Sequence, residues 1–416
     1  MTHSYSNLFE QLISYSNIKE AIRNAAKRKR RRNDVQYILE HEEEHICNII
    51  YMLESGSYKP QSHKLIRIND GTSKKERFIT QPYFFRNQYG EAVYEQIVHH
   101  AVIQILKPIF MKSMYFHSNG SIPERGCHRG KKYLAKHIEK YKDTNKIKYF
   151  FKADVRHFYQ SVNTNILKEK LSKIIHDDRF LKVVFAIIDS NVVSWEGKKS
   201  RTGLPIGFYP SQWFANFYLT SFDHYIKEEL GAPYYARYMD DLVIVGSNKK
   251  ELAKCRDKIT IYLKSLDLEL KENHKIALFD YKERGEPIDF MGFKFYRDRT
   301  VLRKHLLHST RRAALKVNKH VINGTLNWYI ASRMLSYLGW FKHTNTYAYF
   351  KKYIEPIAHI KACKKAVRQH DRREYYATIV RRNLIKRKHI SRNKGLLNRR
   401  KYNDNNIKLE DIRVNS

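Results

Sequence analysis

The sequence predicts an α+β protein, and three observations carry that prediction. Two short apolar, β-rich runs, "KYFFKAD" ending at Asp154 and "RYMDDLVIV" at 237–245, are separated by longer stretches of helical character. Residues 64–80, "KLIRINDGTSKKERFIT", alternate as a hairpin does, with Asp70-Gly71 at the turn. From about Thr300 the chain becomes helical and basic, ending in "VRRNLIKRKHISRNKGLLNRRK" at 380–401.

Taken in order, residues 1–56 read as helical, with Asn33-Asp34 as the cap of a helix from about Val35 to Leu53. Between the helical parts lies "KRKRRR" (27–32), which the total charge favours as a phosphate-backbone contact ahead of a solvated face or a localisation signal. A helix is expected at about 87–110, followed by a Gly- and Arg-containing loop, "HSNGSIPERGCHRG". The chain is helical again after Asp154 as far as Leu181. "GLPIGFYPSQWFANFYLTSFDHYI" is a Gly/Pro-rich loop opening a long amphipathic helix, and "FMGFKFY" (290–296) closes the β-rich part.

With 416 residues, 42% of them hydrophobic and 13% aromatic, the chain can bury a sizeable core. Lysine and arginine number 79 against 42 acids, a formal charge of +37, so the expected partner is a large polyanion, with nucleic acid the leading candidate. The four cysteines, Cys47, Cys127, Cys255 and Cys363, form no CxxC pair, which argues against a zinc ribbon or a disulfide framework. No window approaches a membrane span and the N-terminus lacks a secretory pattern, so a cytoplasmic protein with no membrane partner is expected.

Asp240 and Asp241 pose the chemical question, because adjacent carboxylates in a buried strand repel each other and each loses hydration. A shared hard cation resolves this, and Asp154, at the end of another apolar run, supplies the third carboxylate of a Mg²⁺ site. Two Mg²⁺ ions about 3.5–4 Å apart can activate an attacking hydroxyl and stabilise a leaving pyrophosphate, with Mn²⁺ as a substitute. The chemistry implied is nucleotidyl transfer. The rival "HEEEH" (41–45) fits the zinc-protease pattern, but its centre is a run of acids, so it reads as the polar face of a helix.

The ordered motifs resemble those of reverse transcriptases over about residues 64–350. "FFKADVRHFYQSV" resembles the first catalytic motif, "GLPIGFYPSQWFAN" the second, "YMDD" the third, "LELKENHK" the fourth and "FMGFKF" the fifth, while "SKKERFITQPYFFR" resembles the fingers. The loop "HSNGSIPERG" is similar to one in group II intron and diversity-generating enzymes. The resemblance implies a right-hand polymerase with an N-terminal basic region at 1–63, fingers at 64–150, palm at 151–298, thumb at 299–360 and a basic extension at 361–416. It implies Asp154, Asp240 and Asp241 as metal ligands with the Val155 carbonyl, Tyr159 as the steric gate against ribonucleotides, and Lys275 as the proton donor to pyrophosphate. Lys75 and Arg77 would clamp the triphosphate, and Gly203 and Gly207 would let the backbone approach the nascent pair. Ser211 and Gln212 would meet the template, or Ser211 would cap its helix, while Arg311, Arg312 and Lys316 would hold duplex phosphates along one helical face.

The implied substrates and partners are dNTPs, an RNA template in the form of a structured noncoding RNA, and the DNA product; an accessory or second reverse transcriptase protein and an oligomer stay open. Ile206, where retroviral enzymes carry glutamine, and the Ser211-Gln212 pair resemble bacterial retroelement and diversity-generating enzymes; nothing resembles an RNase H segment or a DNA endonuclease, and the basic extension beyond Lys361 tips the resemblance toward the defence-associated type. Diversity generation and template-free or protein-templated synthesis are the alternatives.

Overall fold

The computed structural model describes residues 4–61, 65–69, 76–190, 193–195, 198–200, 203–280, 284–342 and 344–373. The chain divides into two compact units, residues 1–298 and 299–416.

In the first unit, the helix Tyr15–Ala26 forms because Ile18, Ala21, Ile22, Ala25 and Ala26 recur on one face, and Ser14 caps it by accepting from the Asn17 amide. It packs on the helix Glu95–Ser113, and Gln104 Nε2 pins the pair by donating to the Asn17 carbonyl at 3.0 Å.

Two helices depart from expectation. The single helix foreseen from Val35 to Leu53 is broken into Asn33–Glu40 and Glu42–Glu54, with His41 (φ −115°, ψ 38°) between them. Glu42, Glu43 and Glu44 then form a new acidic first turn, which favours a fresh helix start there. The cap also differs: Arg32 occupies the N-cap position, and Asn33-Asp34 lie inside the first turn. His45 is buried, with Nδ1 2.8 Å from the Tyr94 hydroxyl, so "HEEEH" straddles a helix start that displays Glu43 and Glu44 while His45 turns inward. The helix expected at 87–110 runs instead from Glu95 to Ser113. Upstream, Asn87 Oδ1 accepts from the amides of Tyr89 and Glu91, a local turn that competes with helix.

Strands β1 (Leu65–Asn69) and β2 (Glu76–Thr80) pair antiparallel with Leu65 opposite Thr80; the turn at Asp70-Gly71 lies outside the described residues. Next come β3 (Tyr149–Asp154) and a short hairpin of β4 (Val193–Trp195) with β5 (Lys198–Ser200). Then follow β6 (Tyr234–Tyr238), β7 (Asp241–Gly246) and β8 (Lys275–Leu278), and β6-β7-β3-β8 make an antiparallel four-stranded sheet. Strands β9 (Ile288–Phe290) and β10 (Phe293–Phe295) form a final hairpin in this unit. Leu242, Val243, Ile244 and Val245 of β7 are all buried. Burial on both faces explains why that strand reads as an unbroken apolar run instead of an alternating one. The helix Tyr209–Tyr218 packs against Glu95–Ser113, where Phe110 and Phe217 stack at 4.5 Å.

The second unit opens with β11 (Thr300–Leu302) and the helix Lys304–Ile322, whose Thr310, Ala314 and Val317 face inward. That helix packs on Trp328–Phe341 and on Glu355–Ala358. Among the described residues, no helix is long and apolar enough to cross a membrane.

Candidate active site

The register of the central strands creates the site. Asp154, the last residue of β3, stands directly opposite Asp241, the first of β7. Tyr238 pairs with Asp241, so Met239 and Asp240 form the two-residue turn between β6 and β7. The aspartates are therefore not both within a strand: Asp240 sits on the turn and Asp241 begins the strand. The Val155 amide donates to the Asp240 carbonyl at 2.9 Å and ties that turn to the end of β3. Three carboxylates thus reach one end of the sheet although Asp240 lies 86 positions after Asp154 in the chain.

Lysines answer part of their charge. Lys152 Nζ lies 3.1 Å from Asp241 Oδ1 and 3.6 Å from Asp154 Oδ2, while Lys271 Nζ lies 3.4 Å from Asp154 Oδ1. Burial pushes the Asp241 carboxyl upward against the pull of Lys152, with Asp154 and Asp240 adding to the rise. Asp240 is raised as well, by burial first and by Asp154. At Lys152 burial works downward, but Asp241 and Asp154 outweigh it and the ammonium is held above the usual lysine value. Asp241 Oδ1 is buried and has no aligned hydrogen-bond partner, since its contact with Lys152 has ion-pair distance without hydrogen-bond geometry. An orphaned carboxylate oxygen in a set of hard oxygen donors suits a divalent cation. As the side chains stand, no three such ligands converge among the described residues, and Lys152 and Lys271 supply the positive charge beside the carboxylates.

Around this centre, the residues expected from sequence fall differently. Tyr159 lies in the short helix Phe158–Ser161, half-buried, and burial together with the Asp240 carboxylate holds its hydroxyl above the usual phenol range. Phe158, its neighbour, is in the core. The "GLPIG" loop is seated on this segment by the Leu204 amide, which donates to the Tyr159 carbonyl at 2.6 Å. Gly207 has φ 118°, and a Cβ there would meet the Thr80 carbonyl oxygen at 2.2 Å; at Gly203 a Cβ would meet the Gln160 backbone. The close approach these glycines allow is to the protein's own chain, and the Thr80 amide completes it by donating to the Ile206 carbonyl at 2.7 Å.

Ser211 neither caps the helix, whose N-cap is Phe208, nor faces outward: it is buried and donates to the Pro205 carbonyl at 2.7 Å. Gln212 is exposed. Lys275 is on β8 and ion-paired with Glu286. The lysine of the same segment that reaches Asp154 is Lys271, whose amide also donates to the Asp154 carbonyl at 2.8 Å. Arg77 lies on β2 opposite Ile68, and Lys75 falls outside the described residues. Arg311, Arg312 and Lys316 are exposed on the helix Lys304–Ile322 of the second unit.

Sequence reasoning missed Lys152, Lys271 and the buried Arg237. Two of them left a signal: Lys152 shares a strand face with Asp154 by the two-residue period, and Arg237 is a charge inside "YYARYM" that must find a partner once buried. Lys271 left none that separates it from Lys275, the other lysine of "LELKENHK".

These features define a domain with a carboxylate-bearing β-hairpin set beside a third acidic strand end. Residues 92–295 match the reverse transcriptase (RNA-dependent DNA polymerase) family, and the chain carries a reverse transcriptase domain there. It is 24% identical over 187 residues to the group II intron-encoded protein LtrA of Lactococcus lactis subsp. cremoris, a match covering 45% of this chain and 29% of LtrA. The chain thus spans under a third of the curated relative's length. Among solved structures, apo telomerase from Candida tropicalis truncated from its C-terminal domain overlays with TM-score 0.45 and 16% identity, covering 61% of this chain and 58% of that one. Candida tropicalis telomerase in complex with a TWJ fragment of telomeric RNA gives TM-score 0.46 and 14% identity, covering 73% and 58%.

Proposed function

We propose that the chain is an RNA-directed DNA polymerase, and the observation that carries this is Asp154 facing Asp241 across β3 and β7 with Asp240 on the adjoining turn. Asp154, Asp240 and Asp241, with the Val155 carbonyl, would hold Mg²⁺, which supplies hydroxyl activation and charge neutralisation. In the reaction the primer 3′-oxygen bonds to the α-phosphorus of a dNTP as the bond to pyrophosphate breaks. A lysine would donate a proton to the leaving pyrophosphate: Lys275, as the resemblance implies, or Lys271, whose Nζ lies 3.4 Å from Asp154 Oδ1. Tyr159, under the field of Asp240, would exclude the 2′-hydroxyl, while Lys75 and Arg77 would clamp the triphosphate. Residues 64–150, 151–298 and 299–360 would serve as fingers, palm and thumb.

The partners are an RNA template and its DNA product. The charge of +37 and the basic stretch beyond Lys361 support a dedicated, structured noncoding RNA held through its backbone. We place the protein in bacterial antiphage defence, in the cytoplasm; diversity generation is the second reading, supported by the "HSNGSIPERG" loop.

The test is to purify the chain with its bound nucleic acid, sequence that nucleic acid, and supply Mg²⁺ with labelled dNTPs. The expected result is DNA complementary to one discrete RNA, with synthesis cut at least about 10²-fold by Asp240→Ala with Asp241→Ala. Undiminished synthesis by that variant would remove the catalytic assignment, and product made without RNA would move the reading to template-independent synthesis.

A further inference from the structure

Arg237 is a charged residue in the middle of β6 and is 1% exposed. A buried guanidinium must be answered, and here each of its nitrogens has a partner. Nε and Nη2 donate to the two oxygens of Asp223 at 2.7 and 2.6 Å, a bidentate pair as buried as the arginine itself. Nη1 turns the other way and donates to the Met239 carbonyl at 2.9 Å and to Asn216 Oδ1 at 3.2 Å.

Met239 is the residue that needs holding. Its φ of 57° is left-handed, which a non-glycine residue keeps only where its surroundings over-determine it. Arg237 fixes its carbonyl from below. Asn216 Nδ2 donates to the Gly120 carbonyl at 2.9 Å, and Gly120 packs so close that a Cβ there would meet the Met239 amide nitrogen at 2.6 Å. The Asn119 amide in turn donates to the Arg237 carbonyl at 2.9 Å. The loop 117–120, the helix Tyr209–Tyr218 and the segment bearing Asp223 therefore converge on one turn, and that turn carries Asp240.

We propose that Arg237, Asp223 and Asn216 form a positioning clamp that fixes the Met239–Asp240 turn and so sets where the Asp240 carboxylate stands. The clamp rests on the reading of Asp240 as a catalytic carboxylate, and it acts through the turn without touching substrate. Arginine is required because one planar fork serves Asp223 with two nitrogens while the third reaches Met239; a lysine ammonium cannot make both contacts in that geometry.

The test uses two variants of the full chain. Asp223→Leu with Arg237→Met removes both charges together, a replacement that buried ion pairs commonly tolerate without loss of fold. Arg237→Lys keeps the charge and loses the fork. Amide hydrogen exchange over 234–246, thermal unfolding, and kcat and KM for dNTP on a primed RNA template are measured for each. The expected result is turn amides exchanging at least about tenfold faster, and kcat per folded molecule falling by about 10²-fold with little change in KM. Arg237→Lys should fall between wild type and the double variant, and it decides the matter if the double variant does not fold. A folded variant with wild-type exchange at the turn, or with wild-type kcat, overturns the clamp. If the wild-type chain itself makes no DNA, the polymerase reading fails, and the exchange contrast alone then decides whether the clamp exists.

Discussion

Lys152 places a positive charge between Asp154 and Asp241 on the inner end of the sheet. In Lys152→Met, Asp241 loses its nearest counter-charge and Asp154 keeps only Lys271, with both carboxylates half-buried, so the variant should be destabilised by about 1–3 kcal/mol when divalent ions are chelated. Millimolar Mg²⁺ should return most of that loss. Thermal unfolding in EDTA and in Mg²⁺ measures both, and an equal loss in the two conditions would mean that no cation competes for the lysine's place. Tyr159 and Phe158 form a second contrast. Tyr159→Ala should raise ribonucleotide incorporation relative to deoxynucleotide at least about tenfold, whereas Phe158→Ala, a core truncation, should cost about 3–5 kcal/mol of stability. If Tyr159→Ala leaves sugar discrimination unchanged, the gate lies elsewhere. The offset of Tyr159 from Asp154 was legible in sequence. The lysine that reaches Asp154 was not, because Lys271 and Lys275 are chemically alike and only the path of the chain after Leu270 separates them.

Strand identity was easier to read than strand ends. The run Leu242–Val245 identified β7 because burial on both faces leaves no polar position there, and Phe150, Phe151 and Ala153 identified β3 although Lys152 stands half-buried among them. The turn at Met239–Asp240 was not visible, since methionine at a left-handed position carries none of the Gly or Asn signals that mark hairpins. His41 broke a helix for a related reason: the acidic turn after it suits a helix start, yet the apolar period continues across the break. Ser211 shows the cost of reading a motif without its packing. Inside the helix it donates to the Pro205 carbonyl and holds the "GLPIG" loop. Ser211→Ala should therefore lower stability by about 1 kcal/mol and leave RNA affinity unchanged, as chemical denaturation and filter binding would read. A weaker affinity with unaltered stability would restore Ser211 as a template contact.

At the scale of the molecule, charge is the property that sequence reports without any fold. An excess of 37 cations favours any polyanion whatever surface it meets, so affinity alone cannot say which surface binds. Salt dependence can, because each phosphate contact releases counterions and contributes roughly 0.7 to the slope of log K against log salt for a single strand. Arg311, Arg312 and Lys316 are exposed on the helix Lys304–Ile322, turned away from the Thr310, Ala314 and Val317 face that packs inside the second unit. Replacing all three by alanine should leave stability within about 0.5 kcal/mol. If each meets a phosphate, the slope should fall by about 2. Removing three such charges from a surface that does not bind would weaken affinity slightly through the long-range field and leave the slope nearly unaltered, since no counterions are displaced there. Equilibrium binding of single-stranded RNA across a salt series separates the two outcomes. An unchanged slope would take this helix out of the nucleic-acid path and move the thumb assignment with it.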